Sequence, residues 1–294
     1  MKIPPYILLL LATLLWGGNF VIGRAVSGDI PPLTLAFLRW CVAFIVFFPI
    51  AYRSLKHEWR MLKANWPIVI ILSLTGVAAF NTLVYIGLHY TTSINASLMN
   101  SSTPIMIYIL SFIFLREKLS KYQLLGTALS LSGVIFIISG GSIASLVDFT
   151  FNKGDLIVLV AVFCWSIYSL LIKHYANRLP GRSTFLVTIF TGAIMLLPFY
   201  IYETATLTNS IHWQLSTIAA ILYVGIFASV VAFLSWNSGV VQLGANKASI
   251  YLNFIPVFAS IFAVLFLDEK LHAFQIVGGL AVVAGVIVSG RKVG

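Results

Sequence analysis

Several stretches of this chain set polar and aromatic side chains at helical spacing inside otherwise apolar runs. Trp16, Asn19, Phe20 and Gly23 recur at i, i+3, i+4 and i+7. Ser97, Asn100, Ser101, Pro104 and Tyr108 share a second stripe; Ser249, Asn253, Pro256 and Ser260 share a third. Trp165, Tyr168 and Ser169 make a fourth, and two more runs carry Asn81 with Tyr85 and Trp236 with Asn237. Groups of these types can grip an amphipathic solute by stacking and hydrogen bonding. The competing role is structural, because small and polar residues also hold membrane helices together. For the Ser and Gly positions that role weighs more, and Gly126, Gly133, Gly278 and Gly285 read as packing residues. Covalent chemistry would need a nucleophile beside a base, or clustered His and acid, and neither pattern occurs. No HExxH or P-loop motif stands in the chain, so the sequence predicts no metal site, no cofactor and no catalytic residue.

These residues need elements that can sit in lipid. Of the 294 residues 60% are hydrophobic and only 9% charged, with a mean hydropathy of +1.01. A soluble domain carries roughly 25% charged residues. That comparison excludes a soluble enzyme, a disordered chain and a coiled coil, and makes membrane lipid the main partner of the surface. The net charge of +10 is scattered between apolar runs, so no nucleic-acid partner is expected. Cys41 and Cys164 lie within such runs and read as buried free thiols.

A spanning helix needs about 20 mostly apolar residues. Ten candidates follow, at roughly 5–26, 32–52, 65–89, 93–115, 121–139, 154–175, 183–202, 213–240, 245–267 and 272–290. None alternates like a barrel strand, so the predicted class is an all-α polytopic membrane protein. The first run lacks a signal-peptide cleavage site and reads as a retained helix. With the N-terminus cytoplasmic, the inner segments hold Lys2, Arg53, Lys56, Arg60, Lys63, Arg116, Lys118, Lys121, Lys173, Arg178, Arg182, Lys247, Arg291 and Lys292. The outer segments hold only Arg24, Lys153 and Lys270. This bias places both termini in the cytoplasm.

The chain also repeats itself. Residues 114–136, FLREKLSKYQLLGTALSLSGVIF, match 266–288, FLDEKLHAFQIVGGLAVVAGVIV. The same offset pairs Pro104 with Pro256 and Ser97 with Ser249; further upstream Trp16 pairs with Trp165, Arg24 with Lys173 and Pro49 with Pro198. The expected organisation is a five-helix unit over 1–140, an extracytoplasmic linker over 141–153 and a second unit over 154–294. Five spans per copy require the copies to be inverted, and the loop charges agree. Inverted repeats recur in secondary transporters, with the substrate near mid-membrane between the halves.

The segments 92–134 and 244–286, together with LLWGGNFVIGRAV at 14–26, resemble the EamA family of the drug/metabolite transporter superfamily along nearly the whole chain. That resemblance implies a bacterial inner-membrane exporter of amino acids, aromatic ones among them, or of related metabolites. The small-molecule substrate would cross by alternating access, and a monomer could suffice. Another metabolite or a drug-like solute is the alternative; a membrane-embedded enzyme or a channel has less support. Asp268 departs from the pattern of the first copy, in a loop that bears little on substrate.

Three further expectations attach to particular residues. Pro104 and Pro256 break their helices at equivalent places and are candidate gates, with spans 3, 4, 8 and 9 rocking against the rest. Arg39 is the one cation well inside a span; it either contacts substrate or ties backbone carbonyls and water. All eight acids and all five histidines fall near span ends, which predicts transport without a buried proton-carrying carboxylate.

Overall fold

The computed structural model describes residues 3–26, 28–88, 90–91, 99–142, 152–206, 212–266 and 272–291. Among them regular structure is wholly helical. The α-helices are α1 (Pro5–Ala25), α2 (Pro32–Ala64), α3 (Trp66–Leu72), α4 (Phe80–Leu88), α5 (Thr103–Leu110), α6 (Lys121–Ile138), α7 (Lys153–His174), α8 (Gly181–Thr206), α9 (Leu215–Tyr223), α10 (Ala232–Leu243), α11 (Ala245–Ser249), α12 (Phe254–Phe266) and α13 (Ala273–Ser289). Wider π-helical turns join α3 to α4 over Ser73–Ala79 and α9 to α10 over Val224–Val231, and extend α5 over Ser111–Leu115. A tighter 3₁₀ stretch, Ile250–Asn253, joins α11 to α12.

Eight of the described helical stretches are long and apolar enough to cross a membrane. Two shorter apolar ones, Thr103–Leu115 and Ala273–Ser289, fall where the fourth and tenth spans were expected. Large apolar side chains such as Ile45, Phe114 and Leu280 point outward. This is the arrangement of a multi-pass membrane protein, whose outer surface is solvated by acyl chains.

Local chemistry sets the helix starts. Ser120 and Gln123 form a capping box on α6, and Asn152 and Asp155 form one on α7. Prolines 31 and 32 open α2 and offer no side-chain cap. The Glu203 carboxylate, from the far end of α8, does so instead: it accepts from Leu33 N at 3.1 Å and Thr34 N at 2.6 Å. A carboxylate is favoured at that position by the exposed amides and the helix dipole.

Two helix pairs make the most extensive single contacts between the halves. α6 lies against α13, with Gly126 beside Gly285 and Ser289, and Gly133 beside Gly278 and Val282. The early glycine of each helix meets the late glycine of the other, so the pair is antiparallel. α2 and α8 are antiparallel too: Phe37 stacks on Tyr200 at 4.7 Å between ring centroids, and Phe47 meets Phe185 at 5.3 Å. Small residues in the first pair let backbones touch, and interlocked rings fill the second.

Candidate functional site

Four of the aromatic residues singled out above come together. Trp16 of α1 meets Trp165 of α7 edge-on at 5.4 Å and Trp236 of α10 at 5.7 Å. Tyr168 stacks on Trp165 at 5.3 Å. Phe233, three residues before Trp236 on the same helix, packs between them, and reaches Trp40 at 5.1 Å. All are nearly or fully buried. Their polar edges are used within the protein: Trp16 Nε1 donates to Ala228 O at 3.0 Å, and Trp236 Nε1 donates to Ser169 Oγ at 3.3 Å. Asn237 Nδ2 donates to the Tyr168 hydroxyl at 2.9 Å, and that hydroxyl donates to Asn237 Oδ1 at 3.1 Å.

The π-helical turn Val224–Val231 explains part of this centre. Such a turn is one residue too wide and leaves carbonyls without their usual amides. Ala228 O is given to Trp16, and Val224 O accepts from Ser229 Oγ at 2.8 Å. Ser229 Oγ in turn accepts from Arg39 Nε at 2.9 Å, and Arg39 Nη1 donates to Asn81 Oδ1 at 3.3 Å. Arg39 is 2% exposed. Its guanidinium thus ties α2 to both the third and the eighth expected spans.

A third group runs along α5, α6, α11 and α12. Asn253 Nδ2 donates to Ser130 Oγ at 2.9 Å, and the Tyr108 and Thr127 hydroxyls share a hydrogen bond of 2.8 Å. Ser249 Oγ donates within its own helix, to Asn246 O. The oxygens Asn246 Oδ1 and Asn253 Oδ1 are buried and find no donor among the described residues. Pro104 is the second residue of α5, just after a turn at Ser102, and Pro256 stands in the first turn of α12 after the 3₁₀ stretch, so both prolines follow a local break in the helix. Asn19 and Asn100 are half-buried, and Ser101 is buried. Ser97 lies outside the described residues, as do the side chains of Phe20 and Tyr85.

A cavity of about 420 Å³ opens between α7, α8 and α10. Tyr168, Tyr175, Arg182, Thr184, Phe185 and Asn237 are among its lining. Its size suits a small solute. Tyr168 therefore belongs both to the aromatic centre and to the cavity wall, and Asn237 places a carboxamide beside its hydroxyl.

Some of these partners escaped the sequence reading. Phe233 shares the helical face of Trp236, and that spacing was available as a signal. Ser229 and Ser130 look like ordinary small residues until their distant partners are known. Glu117 is one of the acids that fall near span ends. It accepts from Ser111 Oγ at 3.0 Å and Asn246 Nδ2 at 2.8 Å, closing one end of α5 onto α11. Arg116, the one non-glycine residue with positive φ among those described, at 54°, turns the chain so that this contact forms.

A buried polar and aromatic centre within membrane helices, with a cavity at its edge, is the build of a membrane transport protein. The comparisons give the family. The EamA-like transporter family matches the chain twice, over residues 3–139 and 152–291. The chain belongs to that family. Uncharacterized transporter YyaM of Bacillus subtilis (strain 168) is 29% identical over 286 residues, covering 97% of this chain and 92% of its own. Uncharacterized transporter YetK of the same organism is 30% identical over 288 residues, covering 97% and 86%. A probable terminal-alkyne amino-acid exporter of Streptantibioticus cattleyicolor is 25% identical over 226 residues, covering 77% and 73%. A solved crystal structure with 18% identity superposes with a TM-score of 0.81 over 97% of this chain and 95% of its own, a likeness of fold.

Proposed function

We propose that the protein is a secondary transporter that exports small metabolites, amino acids foremost, across the bacterial inner membrane. It does so with ten transmembrane helices arranged as two inverted five-helix repeats, both termini being cytoplasmic. The observation that carries this reading is the antiparallel packing of repeat-related helices, α6 with α13 and α2 with α8. Two copies related by an axis in the membrane plane meet in that way, and a seam between inverted copies is where carriers bind their cargo.

Two glycine contacts support alternating access along the seam. Gly87 lies against Val158 of α7, and Gly239 lies against Leu9 of α1. The pairs are related by the repeat, so in an inverted arrangement they close opposite mouths. The aromatic centre lies between them, and the cavity beside Tyr168 and Asn237 is the vestibule of one side. Pro104 and Pro256 provide the breaks about which spans 3, 4, 8 and 9 rock.

Amino acids are favoured for two reasons. The centre offers aromatic faces beside carboxamide and hydroxyl groups, which suit an amphipathic solute. One relative is named a probable amino-acid exporter. Asp155, Glu117 and Glu203 are each engaged by hydrogen-bond donors. That supports transport with no mobile carboxylate. The test is solute counterflow in liposomes without a pH gradient, run with a panel of amino acids. Saturable exchange of at least one supports the reading. Absence of exchange across the panel, or a non-saturable conductance, overturns it.

A further inference from the structure

We propose that the end of α2 outside the membrane core is a docking surface for anionic phospholipid headgroups. α2 has 33 residues. At 1.5 Å per residue it is about 50 Å long, against a hydrocarbon core of about 30 Å. Roughly a third of it therefore stands beyond the acyl chains. That part, from Tyr52 onward, carries Arg53, Lys56, Arg60 and Lys63, all exposed. Their spacing of i, i+3, i+7 and i+10 puts four cations on one stripe.

The surroundings of the stripe match a headgroup layer. Tyr52, Trp59 and, just past the helix, Trp66 are 49%, 51% and 62% exposed. Amphipathic rings of this kind settle at the depth of lipid headgroups. The opposite side of the arm is fixed to the protein, because Leu62 is buried and Leu55 packs on the core. Glu58 is the only acid between residues 52 and 66. It is engaged by the Ser183 hydroxyl of α8. The stripe thus presents uncancelled positive charge, on a rigid helix, at the membrane surface. A phosphodiester headgroup complements it, and each cation near an anionic surface adds to the attraction. A soluble polyanion would use the cations without needing the flanking rings, which favours lipid as the occupant.

The test uses the purified full-length protein in detergent, exposed to phosphatidylglycerol or phosphatidylcholine and read by native mass spectrometry. Phosphatidylglycerol should be retained preferentially, and less so as salt rises. Arg53→Gln with Lys56→Gln, Arg60→Gln and Lys63→Gln should lower that retention by at least tenfold, about fivefold for each of the strongest contacts. The charge-keeping pair Arg53→Lys with Arg60→Lys should retain the lipid. Equal retention of the two lipids by the unaltered protein overturns the proposal, whatever the variants do. So does undiminished phosphatidylglycerol binding by a folded fourfold variant, or capture of inorganic polyphosphate without capture of phosphatidylglycerol.

Discussion

Gly126 of α6 and Gly285 of α13 lie back to back, so close that a Cβ added at Gly285 would stand 2.5 Å from the Gly126 carbonyl oxygen. The reciprocal contact joins Gly133 to Gly278, where a Cβ on Gly278 would stand 2.6 Å from Gly133 O. The repeat pairs Gly126 with Gly278 and Gly133 with Gly285. The repeat thus carries the Gly126–Gly285 contact onto the Gly278–Gly133 contact, as twofold-related modules do.

Alanine at this contact has nowhere to go, since the two nearest atoms it meets are backbone. Gly126→Ala should destabilise the protein by about 1–3 kcal/mol through overpacking. Gly23→Ala faces open space and should change nothing measurable beyond a small helix-propensity gain. Thermal unfolding of the two variants in detergent makes the comparison.

The cap on α2 is a second point of leverage. Glu203→Ala removes the acceptor of Leu33 N and Thr34 N and should cost about 0.5–2 kcal/mol. Glu203→Gln keeps one acceptor and loses the charge, so its cost should be smaller. Equal melting temperatures for the alanine variant and the parent would show that water caps the helix as well.

The Ser111, Glu117 and Asn246 contact should act as a one-sided latch. Its repeat counterparts are Ala263, Glu269 and Ile94, which keep only the acid. Asn246→Ala should therefore free one mouth of the seam. A cysteine at Ser249, buried in this structure, should then react severalfold faster with a membrane-impermeant maleimide. Unchanged labelling would remove the latch from the account.

Tyr168→Phe keeps the ring stacked on Trp165 and deletes only the hydroxyl shared with Asn237. A structural bond of this kind is worth roughly 1 kcal/mol. If the pair also contacts substrate, counterflow should show KM raised severalfold with little loss of melting temperature. A change in stability alone, with transport kinetics intact, would confine Tyr168 to packing.

Hydropathy revealed the multi-pass helical class, because acyl-chain solvent demands long apolar helices wherever the chain crosses. It ended α2 at 52, where the apolar run stops, yet the helix continues to Ala64. Residues 53–64 are mostly good helix formers, and the run of charge marks only the exit from lipid. The small faces of α6 and α13 were visible as repeated glycines at fixed spacing. The π-helical turns at 73–79 and 224–231 were not visible, since local composition carries no mark of a one-residue change in register. Trp16, Trp165, Tyr168 and Trp236 were each legible as costly polar aromatics in lipid. Their mutual contact was not, because α1, α7 and α10 meet only through tertiary packing. For the same reason Glu203 stood only as an acid near a span end until its partners, some 170 positions away in the chain, were in view.

Cysteines at Ser120 and His272 test the central claim most directly. They are the N-caps of α6 and α13 and are equivalent in the repeat. In a background lacking Cys41 and Cys164, an impermeant thiol reagent applied to intact cells should label the cysteine at 272 and spare the one at 120, with the pattern reversed in inside-out vesicles. Labelling of both from the same side would contradict the inverted arrangement and the transport seam built on it.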